Sequence, residues 1–152
     1  MVMNKVLIAV DGSPTAESAL GIARELLAGK QVTIMVLHVI PQHTVFGRGG
    51  AGPAETYNLS EVRAASEALV EKSASTLRET GLGASIQTRV VEGDPAEMIL
   101  TFAEELDADL IVLGSRGLTA ARRFLVGSVS TRVATHASCA VLVVHPKHAR
   151  KS

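Results

Sequence analysis

Four stretches of this chain, Val6–Val10, Val32–Ile40, Leu110–Gly114 and Ala140–His145, are nearly unbroken runs of aliphatic residues. A strand with one face in water alternates apolar and polar residues. A strand covered on both faces reads as a continuous run, and such strands belong mainly to parallel sheets. Parallel neighbours cannot be joined by a hairpin, so each connection has to cross over, usually through a helix.

The intervening segments supply those helices. Ser13 is expected to act as an N-cap, with Pro14 at the first helical position. The helix then runs to about Ala28 and turns Ala16, Ala19, Leu20, Ala23, Leu26 and Leu27 to one side before Gly29 stops it. A second helix is expected over Leu59 to Thr80, with Val62, Ala65, Leu69, Ala74 and Leu77 facing inward. Asp94-Pro95-Ala96-Glu97 has the form of a capping box and opens a third, which carries Met98, Ile99, Phe102, Ala103 and Leu106. A fourth should run from about Ser128 to Ala137. Between the second and third, Ser85–Glu92 alternates Ile86, Thr88 and Val90 with polar neighbours, as an edge strand with one wetter face would. Five strands alternating with four helices define an α/β domain with a parallel sheet, expected over residues 1–146, with 147–152 as a frayed tail. Right-handed crossovers leave a few doubly wound topologies. From Pro41 to Asn58 there is no period, and Gly47, Gly49, Gly50 and Gly52 punctuate a long loop. It is either a lid over a site at the second strand's end or a surface connection.

Composition narrows the function classes. With 152 residues, 47% apolar and 20% charged, the chain can bury one core and is not of disordered type. Fifteen basic residues balance fifteen acidic ones, so no net field attracts nucleic acid. No apolar run approaches the roughly 20 residues needed to cross a bilayer. The N-terminus enters a strand without signal-peptide architecture. The single Cys139 excludes an internal disulfide and fits a reducing compartment. These features lead us to expect a cytoplasmic protein with no nucleic-acid or membrane partner.

Chemistry concentrates in Leu110–Ser130, LIVLGSRGLTAARRFLVGSVS. A buried strand halts at Gly114. Gly117 follows, then a nine-residue spacer, then Gly127-Ser128-Val129-Ser130 at an expected helix start. Bare backbone lets amides approach an anion, and a helix N-terminus carries partial positive charge. Taken singly, each glycine is ordinary punctuation and Ser128 only an N-cap. Arg116, between two of the glycines, is either solvated surface or a bidentate phosphate ligand. Asp11 lies at the carboxyl end of the first strand, where open α/β sheets bind ligands. Neither GxxxxGK[ST] nor a GxGxxG after the first strand is present. The histidines show no metal-ligand spacing, and His38 reads as a core or strand-end residue.

Taken together, the Gly-x2-Gly-x9-Gly-Ser spacing resembles the nucleotide-binding signature of the universal stress protein family. The resemblance extends over essentially the whole chain. VLIAVDGS at Val6–Ser13, VLHVI at Val36–Ile40 and VLVVHP at Val141–Pro146 fall where that family has its first, second and last strands. It implies a single-domain, doubly wound, Rossmann-like five-stranded parallel sheet of order 3-2-1-4-5, with helices on both faces. Strands one and four would then meet at one crevice. It further implies a site for ATP, with Mg, formed by Ala9, Val10, Asp11, Val39, Leu113, Gly114, Ser115, Arg116, Gly117, Gly127, Ser128, Val129 and Ser130. Val39 would lie beside the adenine, while Asp11 could meet ribose, base or metal. The last strand, Val141 to Val144, would form a homodimer. A regulatory ATP-binding protein is the leading expectation. The alternatives are an enzyme that slowly hydrolyses ATP or phosphorylates itself on Ser128, Ser130 or Thr131, and an interaction protein whose ligand is incidental. No general base near the expected γ-phosphate can be named.

Overall fold

Every pair of neighbouring strands in the sheet runs parallel. The computed structural model describes residues 2–42, 58–81, 85–115 and 127–145. In chain order the elements are β1 (Lys5–Ala9), α1 (Pro14–Leu27), β2 (Thr33–Pro41), α2 (Leu59–Arg78), β3 (Ser85–Gly93), α3 (Pro95–Leu106), β4 (Leu110–Gly114), α4 (Ser128–His136) and β5 (Ala140–Val144). The strand order is β3-β2-β1-β4-β5, as the resemblance implied. Val6 of β1 pairs with Ile34 on one side and Leu110 on the other.

The central strands are apolar throughout because a helical layer covers each face. Val6 and Ile8 pack with Ala19, Leu20, Ala23 and Leu27 of α1 and with Val70 and Leu77 of α2. Leu7, between them in the chain, points the other way and joins Ile111, Leu113, Ile99 and Ala103 of α3 and Val133 of α4. Strand alternation thus divides one run of residues between two cores. β3, at the edge, alternates exposed and half-buried positions over its first half, as expected.

Two helical faces differ from the sequence reading. Leu26 is 50% exposed, so the buried stripe of α1 is narrower than its leucines suggested. In α2 the buried positions are Ser66, Val70, Ser73, Ala74 and Leu77, whereas Ala65 is exposed and Val62 and Leu69 are half-buried. The face is rotated toward two serines. Each can lie there because its hydroxyl donates to the carbonyl four residues back, Ser66 to Val62 at 2.7 Å and Ser73 to Leu69 at 2.9 Å. Small boundary shifts accompany this: α2 ends at Arg78 and β5 at Val144.

The caps of α1 and α3 are as the sequence indicated. Ser13 Oγ accepts from Ala16 N at 3.2 Å, and Asp94 Oδ2 accepts from Glu97 N at 2.9 Å. The same Asp94 oxygen receives Arg132 of α4 at 2.9 Å, which ties the start of α3 to the middle of α4.

At the opposite end of the sheet, Asp109 staples the start of β1. Its Oδ2 accepts from Asn4 N at 2.8 Å and Lys5 N at 2.9 Å, while Asp109 N donates to Lys5 O at 2.8 Å. These two amides hold its carboxyl below the usual carboxylate range. A carboxyl depressed in the folded state contributes stability that is present above its unfolded value, about 3.9. That contribution disappears as pH falls through the folded value. Asp109→Asn should therefore be less stable than the parent near neutral pH, with the gap closing on acidification below about pH 4. Urea midpoints of both proteins across that range check it, and a pH-independent gap would refute it.

Candidate functional site at the carboxyl ends of β1 and β4

The chain turns sharply where β1 ends. Asp11 is half-buried, its Oδ1 accepts from Ser13 N at 2.9 Å, and Gly12 between them has φ of 80°. This Asx turn delivers the chain to the Ser13 cap and the first turn of α1. Glycine suits position 12 because few side chains tolerate that φ.

β4 ends against that same first turn. A Cβ on Gly114 would strike Thr15 Oγ1 and come within 2.7 Å of both Ala16 N and Thr15 C. Gly114 is thus bare because α1 passes directly over it, a packing reason the sequence reading had not supplied. The following residue, Ser115, continues the ladder by donating its N–H to Val144 O at 2.9 Å. Its carbonyl accepts from Gly127 N at 2.6 Å and from Ser130 Oγ at 3.1 Å. These bonds place the start of α4 beside the end of β4. Alternation from Gly114 turns Ser115 toward the α3/α4 layer. There its hydroxyl is fully covered and has no hydrogen-bond partner among the described residues. An unpaired buried hydroxyl costs about 1–3 kcal/mol.

Gly127, not Ser128, is the N-cap of α4, and having no side chain it gives the first turn no cap bond. Its φ of −61° and ψ of 157° are open to any residue, so backbone conformation does not demand glycine here. Ser130 is buried, and its hydroxyl donates to the carbonyls of Ser115 and Gly127 rather than outward. Ser128 is exposed and Val129 half-buried.

Of the remaining expected site residues, Val39, Leu113 and the half-buried Ala9 pack in the α3/α4 core, whereas Val10 packs in the α1/α2 core. Leu113 is 3% exposed and Val10 6%, so both side chains are taken up by the cores. Arg116 and Gly117 lie outside the described residues, as do positions 43–57 of the loop expected over 41–58, and the tail. His38, read from the sequence as a core or strand-end residue, is half-buried in β2, and its ring nitrogen Nδ1 lies 2.7 Å from Val10 O. Its place beside Val39 at a strand end was the available signal.

Two cavities among the described residues lie elsewhere. One, of about 260 Å³, is lined by α3 and the α4–β5 turn and includes Cys139. Burial pushes that thiol up and keeps it protonated. The other, about 610 Å³, is an open trough between α2 and β3. Among the described residues no cluster could hold a metal ion, and no helix is long and apolar enough to cross a membrane.

Residues 3–145 match the sequence profile of the Universal stress protein family. This chain belongs to that family. Among its relatives, Universal stress protein YxiE of Bacillus subtilis is 30% identical, over 93% of this chain and 98% of its own. The solved structure of hypothetical protein MJ0577 superposes with a TM-score of 0.83 at 28% identity, covering 98% of this chain and all of that one. A universal stress protein from Archaeoglobus fulgidus, solved in complex with dAMP, aligns with a TM-score of 0.61 at 27% identity over 94% of this chain and 98% of its own.

Proposed function

We propose that this protein binds an adenine nucleotide, ATP with Mg, in the crevice between the ends of β1 and β4, and that occupancy serves as a regulatory signal in the cytoplasm. The observation that carries the reading is the start of α4. Its N-cap glycine gives the first turn no side-chain cap, and beside it lies the covered hydroxyl of Ser115, unpaired among the described residues. Amides at a helix N-terminus are donors in need of acceptors, and phosphate oxygens supply them along with the charge the dipole favours. The amides of Ser128, Val129 and Ser130 would take the phosphates. Ser128 would add a hydroxyl bond, while Ser130 braces the turn from behind. The Archaeoglobus fulgidus relative with dAMP lends support from outside. Calorimetric titration with ATP, ADP, AMP and adenosine tests the reading: affinity should fall as phosphates are removed. Equal affinity for ATP and adenosine would argue against a phosphate cradle. Phosphate release measured in the same samples separates a binding protein from a slow hydrolase.

Asp11→Ala should weaken ATP binding about tenfold, the loss of one hydrogen bond to a polar ligand group. The fold should survive, since the carboxylate's recorded bond is the local one to Ser13 N. Unchanged affinity would put Asp11 outside the site.

We also infer a homodimer through β5. That strand ends the sheet, and its Val141, Leu142 and Val143 are only half-buried. An unpaired apolar edge favours association, and two identical edges can close on each other about a two-fold axis. Solution scattering at micromolar concentration should give twice the chain mass. Val143→Pro should halve it by removing an edge donor. A monomeric parent would overturn the inference.

A further inference from the structure

β1 leaves the sheet one residue before Asp11. Its register with β2 ends at Ala9 opposite Leu37, and the last ladder bond runs from Val10 N to Leu37 O at 2.9 Å. β2 continues without it, pairing with β3 as far as Pro41 opposite Gly93. At this departure the Val10 carbonyl meets a side chain, the half-buried ring of His38, with Nδ1 at 2.7 Å. A carbonyl only accepts, so Nδ1 carries the proton and donates. The peptide plane so held is the one joining Val10 to Asp11. Beyond it, Asp11 Oδ1 closes the Asx turn with Ser13 N at 2.9 Å. The aspartate is therefore fixed from both sides: the imidazole sets the plane entering it, and the turn sets the chain leaving it.

We propose that His38 is a positioning residue of the nucleotide site, which aims the Asp11 carboxylate into the crevice by holding the Val10 carbonyl. The proposal rests on the nucleotide reading above and names a residue that would act through Asp11, not on the ligand directly. Freed from the ring, the Val10–Asp11 peptide could rotate and spread the carboxylate over several orientations. A misplaced binding group loses affinity even though it is still present.

A double-mutant cycle on the full chain decides the matter. His38→Phe keeps a ring and removes the donor. His38→Asn places an amide N–H where Nδ1 stood. Titrated with ATP below each variant's melting temperature, His38→Phe should bind about tenfold more weakly, consistent with losing one hydrogen bond, and His38→Asn should recover to within about threefold. In an Asp11→Ala background, His38→Phe should make no further difference, because a residue acting only through Asp11 has nothing left to act on. A merely structural histidine would lower the melting temperature without this dependence on Asp11. Three results overturn the proposal: parent-like affinity in His38→Phe, an equal loss with and without the Asp11 carboxylate, or failure of His38→Asn to recover. If His38→Phe does not fold, His38→Leu, which also lacks the donor, takes its place in both backgrounds, with the same result expected and the same results overturning the proposal. Absence of ATP binding by the parent is a different outcome, which removes the nucleotide reading and this proposal with it.

Discussion

Gly127→Val is expected to abolish ATP binding in a protein that still folds. The backbone at 127, with φ of −61° and ψ of 157°, is in the extended region that β-branched residues favour, so valine introduces no conformational strain. Valine is a poorer N-cap than glycine, at a cost of about 1 kcal/mol, which a domain of this size tolerates. What changes is the approach to the first turn of α4. An isopropyl group would stand where phosphate oxygens must pass to reach the amides of Ser128, Val129 and Ser130. Hydrogen bonds to charged groups contribute about 1.5–3 kcal/mol each, so losing two of them weakens affinity by more than about 100-fold. Ser128→Ala should fall between this variant and the parent, because the backbone donors survive. Adenosine should bind parent and Ser128→Ala alike. Thermal melts run beside the titrations separate a lost site from a lost fold. Parent-like ATP affinity in a well-folded Gly127→Val protein would remove the start of α4 from the site.

Gly114→Ala is expected to do the opposite: damage the fold first and binding only as a consequence. The added methyl would come within 2.7 Å of Ala16 N and Thr15 C, which are backbone atoms of the first turn of α1 and not the end of a flexible side chain. That turn is anchored by the Ser13 cap and by Ala19, Leu20, Ala23 and Leu27 in the core, so α1 cannot back away locally. Overpacking of this kind costs about 1–3 kcal/mol, and contact with backbone that cannot move aside puts this case near the upper end. For a chain of this size that lowers the melting temperature by roughly 10 °C. Nucleotide affinity of the fraction that remains folded should change much less than in Gly127→Val. An unchanged melting temperature would mean that β4 and α1 separate freely and that Gly114 is bare for some other reason. The pair of variants thus assigns different duties to two glycines of one motif.

Much of the architecture was legible in the chain because it depends on local rules. Continuous apolar runs marked strands covered on both faces, and alternation in Ser85–Glu92 marked the edge. Ser13-Pro14 and Asp94-Pro95 marked helix starts, where the cap accepts from an amide three residues away. The strand order came from likeness to a family, since crossover rules alone allow several.

What the tertiary structure alone decided lies between residues far apart in sequence. Helical periodicity indicates that α2 has a buried face but sets its phase poorly when serines can satisfy their own hydroxyls, as Ser66 and Ser73 do. The glycines at 114 and 127 look alike as letters. Only the passage of α1 over one, and the N-cap position of the other, tells them apart. The hydroxyl of Ser130 looked available to a ligand until its bond to the carbonyl of Ser115, fifteen residues earlier, turned it inward. The ring of His38 holds a carbonyl twenty-eight residues away, at the point where β1 leaves its neighbour. Sequence patterns record what a residue needs from its own turn or strand. Which distant group it meets is settled only when the sheet brings the two together.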